Sequence, residues 1–186
     1  MGNSLPVFTK NERGHWVTNA AFPSWIGFRT LSRAHLRGGS EAYKTGIAEV
    51  QFLPGEDAAG ELTEADIQLA DWVIQHEAEI SASLLSSLLE KYPSIRKEGL
   101  EFLGEDMASL LPDVKSVNDF RKLIGFEGVF VPATQKDGLP YAGFCFDSSW
   151  DDEHDLGILM HGTRVVEIGG MDTAFLWWVP AQDAER

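Results

Sequence analysis

The chain has 186 residues, an apolar fraction of 44% and a charged fraction of 24%, which excludes a disordered or low-complexity protein and leaves enough length for one well-buried core. A single cysteine excludes a disulfide framework and any multi-cysteine zinc site. With 29 Asp and Glu against 15 Lys and Arg the formal charge is -14, so a phosphate backbone would be repelled and no nucleic-acid ligand is expected. The charge is uneven. Residues 1–50 hold six bases and three acids, a balance of +3, whereas 137–163 contain six carboxylates and no Lys or Arg.

The opening Met-Gly-Asn-Ser-Leu-Pro lacks a basic stretch leading into an apolar run, and no run approaches the roughly 18 residues of a membrane span. The expectation is a cytoplasmic protein without membrane contact. His15 to Val17, Trp25 to Leu36 and Ile47 to Leu53 read as short strands, with Gly38-Gly39 as a turn between the second and third. From Thr63 the apolar spacing becomes helical. Thr63-x-x-Asp66 forms a capping box, and Leu69, Val73, Ile80, Leu84 and Leu88 trace one face, so the spacing predicts one continuous helix from Thr63 to Tyr92, stopped by Pro93. A short helix is expected around Glu105 to Leu111. Ser116-x-x-Asp119 opens another, with Gly125 as its left-handed close. Val129 to Val131, a turn at Lys136-Asp137-Gly138 and Tyr141 to Phe146 read as a hairpin. Leu156 to Met160, a turn at His161-Gly162 and Arg164 to Ile168 read as a second, and Phe175 to Val179 as a last strand. The expected fold is α+β: an antiparallel sheet of short strands and hairpins packed against one long central helix. The domain reading is a single unit, 1–186, with a β-rich part (1–60), a helical middle (63–125) and a second β-rich part (126–180).

Five carboxylates, a Trp and a His crowd the connection from Asp147 to Asp155, where such side chains repel unless water, a cation or a basic partner relieves them. Trp150, Asp151, Asp152, Glu153, His154, Asp155 and His161 are the candidate binding residues here, joined by Trp178 from the aromatic patch Trp177-Trp178. Were a metal bound, Asp147, Asp151, Glu153 and His154 would be its ligands, with His154 and His161 meeting at one end of the hairpin. The spacing fits no calcium loop, because Leu156 stands where that loop wants Gly and Gly162 where it wants Glu. No cofactor is expected. Cys145 alternates with Phe144 and Phe146 and reads as a small buried side chain rather than a nucleophile.

The run Tyr141-Ala-Gly-Phe-x-Phe-x-x-x-Trp150-Asp-x-Glu153-His154-x-Leu156-Gly157-x-x-x-His161, followed by Arg164-Val-Val-Glu-x-Gly169, resembles a bacterial domain family of unknown function. The resemblance covers roughly residues 63 to 175. It departs at Asp155, where that family's pattern calls for Gly, and Asp tolerates a left-handed backbone better than most side chains. It implies a bacterial cytosolic protein of α+β fold and supplies no reaction. The functional expectation is therefore a non-catalytic acidic binding protein of immunity or inhibitor type, meeting a basic protein partner, with a homodimer also open. The alternative is a divalent-metal-dependent enzyme or sensor built on the turn from Asp147 to His161.

Overall fold

The computed structural model describes residues 4–30, 41–55, 61–104, 108–151, 153–176 and 178–185. In chain order the elements are β1 (Thr9–Lys10), β2 (Trp16–Ala21), a 3-10 turn (Pro23–Trp25), α1 (Ala42–Thr45), β3 (Ile47–Leu53), α2 (Glu64–Gln75) and α3 (Glu77–Leu103). A 3-10 turn (Val117–Lys122) then leads into β4 (Ile124–Pro132), β5 (Gln135–Lys136), β6 (Leu139–Ser148), β7 (Leu156–His161) and β8 (Arg164–Gly169). Another 3-10 turn (Met171–Ala174) and α4 (Trp178–Ala184) follow.

The strands form one sheet in the order β1-β2-β3-β4-β6-β7-β8, with β5 paired to β6. All pairs are antiparallel except β3 with β4. That parallel pair requires a crossover, and α2 and α3 lie within it. The helices thereby cover one face of the sheet. Ala48, Val50 and Phe52 of β3, Phe144 and Phe146 of β6 and Ile158 of β7 meet Val73, Ile80, Leu84 and Leu88 in one apolar core. A bulge at Glu127 resets the alternation of β4, so Ile124 and Phe126 before it and Val129 and Val131 after it all reach that core. Trp25 is swallowed between Phe126 and Phe146, its ring 5.3 and 4.9 Å from theirs. No helix among the described residues is long and apolar enough to cross a membrane.

Several expectations are corrected. The helix from Thr63 is not continuous to Tyr92. It begins at the expected capping box, where Asp66 N donates to Thr63 Oγ1 and Thr63 N to Asp66 Oδ2, but α2 ends at Gln75. His76 breaks it: the ring Nδ1 bonds the Trp72 carbonyl at 2.8 Å, the same oxygen that accepts from the His76 backbone N–H, and the ring stacks on Trp72. The next turn is pinned from outside, because buried Glu77 accepts from Ser24 Oγ of the Pro23–Trp25 turn at 3.2 Å. Nor does Pro93 stop the helix, which runs on to Leu103. Tertiary packing of Tyr92, Ile95 and Leu100 on the core outweighs the missing proline N–H.

Trp25 ends a 3-10 turn started by Pro23, and no strand runs through 26–30; the rest of the expected strand and Gly38-Gly39 lie outside the described residues. In the expected helix at Glu105 to Leu111, residues 108–110 form a turn and 105–107 lie outside. Gly125 is not a helix close but a residue of β4, since Leu123 already ends the 3-10 turn. Phe175 to Val179 is not a strand: the chain leaves a 3-10 turn at Ala174 and enters α4 at Trp178. Pro180 sits in the first turn of α4, where its missing N–H costs nothing.

Candidate functional site

The connection between β6 and β7 is a self-capped turn. Asp151 Oδ1 accepts from the backbone N–H groups of Glu153 (3.2 Å) and His154 (2.9 Å), and both its oxygens lie 3.2 Å from His154 Nδ1, which therefore carries the proton it donates. Asp155 N donates to the Asp151 carbonyl, and Asp155 Oδ1 accepts from Ser148 N at 3.2 Å. Asp155 holds φ +54, the left-handed conformation in which Gly would be free of strain. Ser149 ties the turn to the body through Oγ to the Leu110 carbonyl and N–H to the Leu123 carbonyl, both at 2.8 Å. Beneath, Trp150 packs edge-on against Tyr92 at 5.7 Å. Tyr92 donates to the Pro112 carbonyl, and burial pushes its hydroxyl pKa up to about 12.

The turn faces the second half of α3 across an open groove. A cavity of about 520 Å³ is lined by Ile95, Glu98, Gly99 and Phe102 of α3, Leu110, and Ser149 to Asp151 with Glu153 and His154. A neighbouring cavity of about 410 Å³ shares Ile95, Glu98, Trp150, Asp151 and His154 and extends to Lys91, Asp155, Ile168 and Asp172. The floor is apolar and the rim mostly acidic. Phe102 is 89% exposed at its end, and Glu98 and Glu153 are exposed on either wall.

Of the residues singled out by sequence, Trp150, Asp151, Glu153 and His154 line this groove, and Asp155 borders its second cavity. Asp152 lies outside the described residues, as does Trp177. His161 is elsewhere. It stands at the far end of β7, buried, with Nε2 donating to the Lys136 carbonyl at 2.9 Å and its ring 4.6 Å from Tyr141, so the expected meeting with His154 does not occur. Trp178 is on α4, 43% exposed, and lines neither cavity.

Asp147 is separated from the other expected metal ligands as well. It lines a different cavity, on the opposite side of the sheet, with Glu49, Glu127 and Cys145. Among the described residues no group of three or more His, Cys, Asp and Glu side chains is gathered closely enough to hold a metal ion. Burial, with Glu127 and Asp155 nearby, pushes the Cys145 thiol well above its ordinary pKa, which suits a packing role rather than a nucleophile.

Sequence reasoning missed Ile95, Glu98 and Phe102, because Pro93 was read as the end of the helix that carries them. Their spacing of three to four residues was the signal available.

No curated protein and no solved structure matches the chain. A family model does match, over residues 39–176, a span that holds β3 to β8, α2 and α3 and the whole groove. The chain belongs to the family described as a domain of unknown function, DUF6985.

Proposed function

We propose that the protein is a non-catalytic binding protein of immunity or inhibitor type, and that it receives a basic protein partner in the groove between α3 and the Ser148 to Asp155 turn. The observation that carries this reading is the groove itself, an apolar floor of Ile95, Leu110 and Trp150 under a rim of Glu98, Asp151 and Glu153. Such a site suits a lysine or arginine side chain, whose aliphatic stem packs on the floor while its charge meets the rim. The turn's own hydrogen bonds favour recognition over chemistry: Asp151 and Asp155 are occupied in shaping the loop. Among the described residues that line the groove, Glu98 and Glu153 are the carboxylates that can answer a ligand without unfolding the turn.

The test uses surface plasmon resonance with a short peptide of lysines and arginines around one leucine. The protein should bind it, and the Glu98→Gln/Glu153→Gln double variant should bind about tenfold or more weakly, the loss expected of one to two kcal/mol of charge pairing. Equal affinity of the two proteins, or equal binding of an all-glutamate counterpart, sinks the reading.

A further inference from the structure

One edge of the sheet is open beside the groove. β8 ends the strand order and pairs with β7 alone, Arg164 facing His161, Val165 facing Met160, and Glu167, Ile168 and Gly169 facing Leu159, Ile158 and Gly157. Val166 is the extra residue of a bulge, so the ladder is irregular there and regular from Glu167 to Gly169. In an antiparallel pair the N–H and C=O groups of alternate residues point away from the neighbouring strand. Among the described residues, those of β8 make no backbone hydrogen bond on that outer side.

The devices that blunt an edge strand sit at the end of β8 away from the groove. The bulge is at Val166, and Arg164 is tied back to Asp183. Val165 and Ile168 pack against the core, so what the edge offers a partner is backbone rather than apolar surface. Glu167 is exposed and takes part in no ion pair among the described residues. The groove leads to this edge: its second cavity is lined by Ile168, Gly169 and Gly170 at the end of β8 as well as by Ile95, Glu98 and Trp150.

Resting on the groove reading above, we infer that the basic partner enters as an extended segment that adds a strand to the outer edge of β8, its cationic side chains meeting Glu167 on the edge and Glu98 in the groove. In strand addition the main-chain hydrogen bonds supply affinity and every second side chain supplies specificity. Charge selects the occupant. A second copy of this chain, with a formal charge of -14, is repelled from the edge, whereas a cationic strand is drawn to it.

The probe is the lysine- and arginine-rich peptide, whose single leucine fixes the register, made also in two N-methylated forms. One form carries its methyl groups on the odd-numbered amides and the other on the even-numbered. A strand bonds its neighbour through every second residue, so one form should bind about tenfold or more weakly than the parent peptide and the other about as well. Hydrogen exchange of the outward β8 amides should slow when the parent peptide is added. Equal binding of the two methylated forms overturns the strand pairing and leaves the groove as a site for side chains alone. A parent peptide that does not bind overturns the groove reading and the strand with it. Slowing of the same amides by raised protein concentration without peptide makes a second copy the occupant and overturns the cationic strand.

Discussion

Asp151 shapes the candidate site by what it accepts: two backbone N–H groups and the His154 ring. Asp151→Ala would strand those donors, and a loss of about 1–3 kcal/mol in urea unfolding is expected, with the turn's amides losing protection first. Asp155 acts in the same way, holding a left-handed backbone while its Oδ1 accepts from the Ser148 N–H. The crowd of carboxylates was legible in the sequence, but its purpose was not. Side-chain-to-backbone bonds two to seven residues apart depend on the local turn, which composition does not determine. Asp183 gives a pH dependence. Its hydrogen bond from Arg164 holds its carboxyl below the ordinary 3.8, so the stability it lends is present above that value and is lost as pH falls through the lowered one. Tyr141, Arg164, Lys136 and His161 are the groups that face it or its partners. Protection of the α4 amides should therefore persist down to about pH 4 and disappear below it, ahead of the core strands.

Among the elements, α3 carries the most consequence, since its extension past Pro93 builds one wall of the groove. Pro93 has no N–H to offer the Leu89 carbonyl, and its ring crowds that oxygen. Pro93→Ala should accordingly stabilise the protein, by about 1–2 kcal/mol after allowance for the freer unfolded chain, as read from the urea midpoint. A destabilised variant would mean that the helix is shaped around the proline. The two capping positions, β3, both C-terminal hairpins and the buried stripe of Val73, Ile80, Leu84 and Leu88 were readable from residue type and period. The turn residues marked the reversal, since Asp137 and Gly138 both take positive φ, but the two-residue loop joins β6 to β5, a short strand the sequence reading did not contain. The break at His76 and the loss of the expected strand at Phe175 were not readable. The break at His76 rests on its ring bonding and stacking on Trp72 in competition with the helix, and the loss of the strand at Phe175 on partners distant in sequence, the bare glycines of β6 and β7 under Ala174.

At the scale of the whole molecule, one crossover decides the layout: β3 and β4 run parallel, so α2 and α3 must cover one face, and the C-terminal segment is left to cover the other. Order of elements alone suggested a wholly antiparallel sheet, because the β3–β4 pairing joins strands some seventy residues apart and local pattern carries no record of it. The core face should dominate stability. Leu84, fully buried between helix and sheet, should cost about 2–5 kcal/mol as Leu84→Ala, measured by chemical unfolding. The proposed attraction of a basic partner reaches about 10 Å at 0.1 M salt and about 3 Å at 1 M, so its association should slow as salt rises. Whether a basic partner seats in the groove between α3 and the acidic turn is read by titrating the lysine- and arginine-rich peptide into isotope-labelled protein and mapping the amide and indole shifts. Shifts should concentrate at Ile95, Glu98, Gly99, the Trp150 indole, Glu153 and His154 and fade at high salt. Shifts centred on the opposite sheet face, or spread evenly over the acidic surface, would contradict that seating.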